Sequence, residues 1–280
     1  MIYPFFISRE RVLQSQIRSG YSKEKQMQKF AFDISKKGMA PISHYQVGAA
    51  FLGESGNIYL GVNLEFAGVP LSQTIHAEQF GIINALNHGE KKLLFLAVTA
   101  PPCGCCRQWI SEIGKDSSRL KVLISNGKAV QFSRLFPYSF KFSLQGESTV
   151  FFSSLQNFDR KASDKLLPAR LRNKDLWLAA LRGVKASYSP YSKSPSGLAL
   201  MTKDRKVYVG SYIENSAFNP SLSPLHTALI SLVCDGQPFG SIKKARLLEK
   251  NGAAISQEET IKELLKKIAP QVSFQKASIL

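Results

Sequence analysis

The sequence predicts an α/β fold built twice, and two observations carry that prediction. The segment APISHYQVGAAFLGESGNIYLGVNLEF (40–66) returns as SPYSKSPSGLALMTKDRKVYVGSYIEN (189–215), with Pro41 against Pro190, Ser43 against Ser192, Gly48 against Gly197 and Gly61 against Gly210 at one constant offset. Such self-similarity marks a duplicated structural unit. In each copy, apolar residues at helical spacing precede two short β-prone runs joined by a polar turn, and the first copy then alternates helix and strand.

The elements follow in order. Residues 1–21, with VLQSQI, read as a small N-terminal helical segment. Residues 22–37 set Met27, Phe30, Ala31 and Ile34 on one helical side. The runs VGAAF (47–51) and NIYLGV (57–62) alternate in polarity around a Gly/Ser turn and read as a hairpin. A helix over 77–88 lines up Phe80, Ile83 and Leu86. After it come an apolar strand (93–100), a helix opening at the cysteines (103–113) and a strand LKVLI (120–124). These elements make residues 22–145 one domain, and GES, SS and KASDK mark 146–170 as a linker.

Residues 171–280 form the second domain. Its first helix (174–187) carries Trp177, Ala180, Leu181 and Val184 behind Asn173 as N-cap, followed by the hairpin GLALM (197–201) and KVYVGSY (206–212). The basic helix 261–270 has Leu264, Leu265 and Ile268 on one side for docking. Trp109 and Trp177 read as core.

A chain of 280 residues can bury two cores without staples. It has four cysteines, three of them in the turn PPCGCCRQ (101–108), and no secretory leader, which reads as metal or redox chemistry in the reducing cytoplasm. No apolar run approaches the roughly 20 residues of a membrane span. The formal charge of +17 raises a polyanionic partner such as RNA, but the Lys and Arg residues are scattered over helix faces and read as a solvated basic surface.

The chemistry concentrates in two helix starts. Thr74-Ile75-His76-Ala77-Glu78 begins one helix and Pro102-Cys103-Gly104-Cys105-Cys106 the next, with a helix and a strand between. That order brings both first turns to the same end of the sheet. Cys103 and Cys106, three apart, face the same way and can share one ion, and a helix N-terminus favours the thiolates that zinc requires. With His76 as third ligand the two thiolates balance the charge of Zn²⁺ and leave one tetrahedral position open, the pattern of a catalytic site. Glu78 is too close to His76 for an easy ligand and is placed to carry protons. The pattern H-x-E followed by P-C-x-x-C is that of the zinc nucleobase deaminases.

Together, PISHYQVGAAF (41–51), GVNLEF (61–66), TIHAEQ (74–79), PCGCCRQ (102–108), PYSKSPSG (190–197) and ENSAFNP (214–220) make the chain resemble the two-domain cytidine deaminases. The resemblance implies duplicated three-layer α/β/α domains with a mixed sheet, and one zinc per chain on His76, Cys103 and Cys106. It implies Glu78 as proton shuttle, Asn63 and Glu65 at the sugar hydroxyls, Tyr45 packed on the pyrimidine where the family usually has Phe, and the Ala77 backbone at the base edge. It further implies hydrolytic deamination of cytidine and deoxycytidine in pyrimidine salvage. A homodimer is expected, in which Phe218 approaches the partner's substrate. Cys105 stands where relatives often carry His and reads as an inert extra thiol.

In the second domain His226 pairs with His76 after a one-residue insertion, Ala228 stands for Glu78, and Cys234 is alone, so this half is expected to hold no zinc and to serve structure. Two rival readings compete: a zinc deaminase acting on a base within RNA or DNA, and a non-catalytic zinc protein closed by Cys105. The sugar motif argues against the first and Glu78 against the second.

Overall fold

The computed structural model describes residues 5–114, 116–140, 166–171 and 174–279. The chain divides into two compact units, Met1–Lys141 and Phe142–Leu280.

In the first unit the strands are β1 (Phe6–Ile7), β2 (Gly48–Gly53), β3 (Ile58–Val62), β4 (Leu93–Val98), β5 (Lys121–Ile124) and β6 (Val130–Gln131). The helices are α1 (Arg9–Ser19), α2 (Lys23–Ser35), α3 (Ala77–Asn87), α4 (Gly104–Glu112) and the short α5 (Phe132–Leu135). The sheet order is β1-β3-β2-β4-β5-β6, with β4 and β5 parallel and every other pair antiparallel. The N-terminal segment thus holds more than the expected helix: β1 pairs with β3 and closes that edge.

Two glycines set the layers. Cross-strand pairing puts Gly48 and Val62 on one face of the sheet and Ala49 and Gly61 on the other. A Cβ at Gly48 would lie 2.1 Å from the Ala31 carbonyl of α2, and one at Gly61 would lie 2.1 Å from the Ala77 carbonyl of α3. The two helices therefore press on opposite faces, each admitted by the missing side chain. β2 and β3 are buried along their whole length, so the alternation expected of a half-exposed hairpin is absent; both faces are covered. The core beneath α2 and α3 includes Met27, Phe30, Phe51, Leu60 and Phe80.

The second unit repeats the plan with α6 (Asp175–Lys185), β7 (Ser196–Thr202), β8 (Val207–Ser211), α7 (Pro224–Cys234), β9 (Ile242–Lys250), α8 (Glu258–Ile268) and β10 (Ser273–Ile279). Its sheet runs β10-β9-β7-β8, with β9 and β10 parallel. Gly197 abuts α6 and Gly210 abuts α7, reproducing the pair in the first unit. Trp109 and Trp177 are both buried, as are Ile261, Leu264 and Leu265 on the inner side of α8. The linker expected over 146–170 lies outside the described residues as far as 165, as does Asn173; α6 begins with Lys174 at the cap position.

The strands β9 and β10 escaped the sequence reading because IKKARLLEK and SFQKASI mix charge with apolar residues. Glu249 of β9 is nevertheless buried. Its carboxylate accepts from the Gln257 amide (2.6 Å) and the Ser256 hydroxyl (3.0 Å) and pairs with Lys276 of β10 at 2.7 Å. The Lys276 ion pair across the two strands and the donors of the 256–257 segment together make that charge tolerable.

Candidate active site

His76 occupies the N-cap of α3 in an extended conformation, and its backbone N–H donates to Gln79 Oε1 at 3.0 Å. Gln79 is a residue the sequence reading passed over; its signal was the N3 position of a capping box. Cys103 occupies the N-cap of α4, where its sulfur accepts from the Cys106 amide at 3.5 Å. Both helix starts follow sheet-linked segments: α4 follows β4, and Ile75, just before His76, exchanges backbone hydrogen bonds of 2.9 and 3.0 Å with Leu64. The predicted meeting of the two first turns is thus realised.

His76 Nδ1 lies 3.5 Å from Cys103 Sγ and 3.3 Å from Cys106 Sγ, and one ligand atom from each of the three residues falls within 4.8 Å of the others. A tetrahedral ion with nitrogen at about 2.0 Å and sulfur at about 2.3 Å sets nitrogen-to-sulfur edges of roughly 3.5 Å, so the donor set fits zinc. Cys106 is buried, His76 half-buried and Cys103 exposed, which leaves the group open on one side.

The two thiols are pushed in opposite directions. A hydrogen bond from Cys106 holds Cys103 down at about 3 against the opposing effect of burial, with His76 adding to the depression. Cys106 itself is pushed well up by that same bond and by burial. The Cys103 thiolate raises His76. A ready thiolate at a helix N-terminus is the state a soft cation takes. Cys105, exposed beside them, has its thiol raised by partial burial and by Cys103, so it lacks the thiolate character of its neighbour.

Glu78 lies in the first turn of α3 and is 4% exposed. Burial raises its carboxyl above the ordinary range, while its own amide, a hydrogen bond with Cys106 and the nearby His76 oppose the shift. A carboxyl held near the metal ligands with an elevated pKa is suited to taking and giving protons.

The remaining first-unit candidates gather at the loop before β2. Asn63 Oδ1 accepts from the Val47 amide and its Nδ2 donates to the Tyr45 carbonyl, both at 2.9 Å. Glu65 Oε2 accepts from the Ile42 and Ser43 amides at 3.0 Å each, and Ser43 Oγ donates to Oε1 at 2.5 Å. Burial pulls Glu65 up, but these donors outweigh it and keep its carboxyl below 4.5. The Leu64–Ile75 pairing sets Asn63 and Glu65 beside the strand that ends at His76. Ala77 is buried, whereas Tyr45 is 61% exposed, and Met39, Ile42 and Leu71 are exposed as well. In the second unit Phe218 is 64% exposed and adopts a φ of 60°, a conformation costly for an aromatic residue.

The second unit corrects the sequence pairing of its helix start. The Ala77 carbonyl contacts Gly61 as the Pro224 carbonyl contacts Gly210, so Ser223 stands where His76 does and Leu225 where Glu78 does. His226 corresponds to Gln79: it sits at N3 of α7, and its Nδ1 accepts from the Ser223 amide at 3.3 Å. His226 is therefore a capping residue and no remnant of a metal ligand, and Leu225 rather than Ala228 replaces the glutamate. Among the described residues, only His76, Cys103 and Cys106 form a group of metal-ligating type.

Comparison with known proteins agrees with this geometry. Residues 21–121 and 132–262 each match a model of the cytidine and deoxycytidylate deaminase zinc-binding region. The chain is 40% identical over 228 residues to a cytidine deaminase of Photorhabdus laumondii, covering 81% of this chain and 74% of that one. It is 39% identical over 223 residues to a cytidine deaminase of Yersinia pestis, covering 79% and 72%. The solved cytidine deaminase of Mycobacterium tuberculosis aligns at 26% identity and a TM-score of 0.40, over 44% of this chain and 100% of its own. A duplicated α/β plan, a His/Cys/Cys cluster with a buried glutamate in one copy only, and identity at this level over most of the chain place it in the cytidine deaminase family, with zinc as its cofactor.

Proposed function

We propose that the chain catalyses the hydrolytic deamination of cytidine and deoxycytidine to the corresponding uridines, with His76, Cys103 and Cys106 holding one zinc ion. The observation that carries this reading is Glu78, a buried carboxyl two residues past His76 and in contact with Cys106, beside a ligand group open on one side. When bound, zinc supplies Lewis acidity and a water that ionises near neutral pH.

The protein's own groups do the rest. Glu78 takes one proton from the attacking water and delivers it to ring N3, which makes C4 electrophilic. A C–O bond forms at C4, Glu78 carries the second proton to the amino group, the C–N bond breaks, and ammonia leaves. Such proton transfer contributes roughly 10²–10⁴-fold in rate. The Ala77 backbone borders the base edge, Tyr45 covers the ring, and Asn63 and Glu65 bound the sugar end. Glu78→Gln should keep one zinc per chain by metal analysis while the fall in cytidine absorbance slows by roughly 10³-fold. Retained turnover in that variant would refute the assignment.

The neighbouring surface supports a homodimer that completes each site. Tyr45, Met39, Ile42 and Leu71 leave apolar area of the first unit in water, and exposed Phe218 is held by hydrogen bonds from its own amide to the Asn215 carbonyl and from the Ser221 amide to its carbonyl, each 2.9 Å. Among the described residues no helix is long and apolar enough to cross a membrane. A free nucleoside as substrate supports a role in pyrimidine salvage, and three cysteines crowded into the 101–108 turn suit the reducing cytoplasm.

A further inference from the structure

The turn that carries Tyr45 is built twice, once in a unit with metal-ligating residues and once in a unit where the described residues offer none. In the first unit the His44 amide donates to the Ala40 carbonyl at 3.0 Å, the Tyr45 amide donates to Ser43 Oγ at 3.1 Å, and His44 has a φ of 56°. In the second unit the Lys193 amide donates to the Ser189 carbonyl at 3.2 Å, the Ser194 amide donates to Ser192 Oγ at 3.2 Å, and Lys193 has a φ of 55°.

Each turn is held by one carboxylate. Glu65 receives the Ile42 and Ser43 amides and the Ser43 hydroxyl. Glu214 receives the Tyr191 amide at 2.8 Å, the Ser192 amide at 3.2 Å and the Ser192 hydroxyl. The second unit has Leu225 in place of Glu78 and no ligand group among its described residues, yet it keeps this clasp donor for donor. The carboxylate is therefore required by the turn itself, whether or not a nucleoside is bound nearby. Asn63 behaves differently: its counterpart is Tyr212, whose hydroxyl hydrogen-bonds with Glu214, Ser221 and Gln257 instead, so the amide clamp on Val47 and Tyr45 belongs to the first unit alone.

We infer that Glu65 is a positioning residue. A carboxylate has about four acceptor positions, and three of them on Glu65 hold the 42–45 turn, which fixes a positive φ at His44 and sets the Tyr45 ring and carbonyl. Its effect on a nucleoside passes mainly through that turn, and a sugar hydroxyl can claim only the remaining position on Oε1. This deepens the deaminase reading and rests on it.

Amide hydrogen exchange and steady-state kinetics on the zinc-loaded chain test the inference, with cytidine and 3′-deoxycytidine as substrates. In Glu65→Gln, exchange at Ile42 and Ser43 should quicken at least tenfold, and KM should rise about tenfold for both substrates with kcat changed less than threefold, the loss expected for hydrogen bonds to a charged acceptor. Ser43→Ala, which alters the clasp from the loop side, should raise KM in the same sense, and the double variant should be no worse than Glu65→Gln alone. A KM penalty that disappears with 3′-deoxycytidine, a kinetically silent Ser43→Ala, or unchanged exchange at Ile42 and Ser43 would overturn the inference. A wild-type chain that turns over neither nucleoside would overturn the deaminase reading instead, and the exchange rates would still decide whether the clasp exists.

Discussion

Glu78 and Cys105 lie in the first turns of α3 and α4, and their surroundings suit them to different proposed roles, a proton carrier and a bystander thiol. Glu78 is enclosed by α3 and touches Cys106, while Cys105 points to solvent with its thiol raised rather than lowered. A third thiolate on zinc would close the open position and reduce its acidity. Cys105→Ser should therefore keep one zinc per chain and cytidine turnover within about threefold of wild type, a change below roughly 0.7 kcal/mol in barrier. Loss of zinc in this variant would identify Cys105 as a ligand and the site as structural. The identities of His76, Glu78, Cys103 and Cys106 were legible in the sequence because spacing within a helical first turn already dictates which side chains face together. The role of Gln79 and the standing of His226 were not legible, since both depend on where α3 and α7 begin against the sheet.

At the scale of elements, the close approach of strand to helix governs the position of the site. α3 presses on Gly61 through the Ala77 carbonyl, one residue after His76, so this contact sets the depth of the proposed metal ligand as well as the packing. Gly61→Ala should cost about 3 kcal/mol, at the upper end for overpacking, measured by chemical denaturation, and should lower zinc affinity by equilibrium competition with a chelator. Carboxylates that clasp turns form a second group of such contacts. Glu90 receives the hydroxyls of Ser55 and Tyr59 and the Lys91 amide, and although burial pulls it up, those donors keep its pKa below 4.5. Because both Glu65 and Glu90 titrate lower when folded than unfolded, their contribution is complete above pH 4.5 and is lost as pH falls through the depressed folded values. The melting temperature should hold from pH 7 to about 5 with respect to these groups and drop below pH 4.5, and Glu90→Gln should flatten that drop while lowering stability at neutral pH by about 1–2 kcal/mol. An unaltered acid limb in Glu90→Gln would show that other groups control it.

For the whole molecule, duplication followed by divergence explains why a chain of this size carries one ligand group among its described residues. The second unit keeps the glycine contacts, the capping box and the carboxylate clasp, and among its described residues has no counterpart of Glu78 or of the His/Cys/Cys group. Retention of the scaffold with an exposed Phe218 at positive φ fits a part that finishes a neighbouring site in the proposed homodimer. Phe218→Ala should raise KM for cytidine several-fold and leave zinc content at one per chain; because alanine keeps the Cβ that makes a φ of 60° costly, the substitution relieves no backbone strain. Unchanged kinetics would remove Phe218 from the site.

The sequence by itself determined the duplicated α/β plan and singled out His76, Cys103, Cys106 and Glu78 as one group, because each is encoded in short-range spacing or in repetition along the chain. Only the tertiary structure decided that β1 closes the edge beside β3, that β9 and β10 are strands in spite of their charges, that His226 is a cap, and that Glu65 is committed to the 42–45 turn. Each of these depends on which groups the folded chain brings together across long separations. A buried Glu249, a carboxylate committed to a turn or a missing Cβ at Gly61 has no local signature; its meaning comes from the partner that packing supplies.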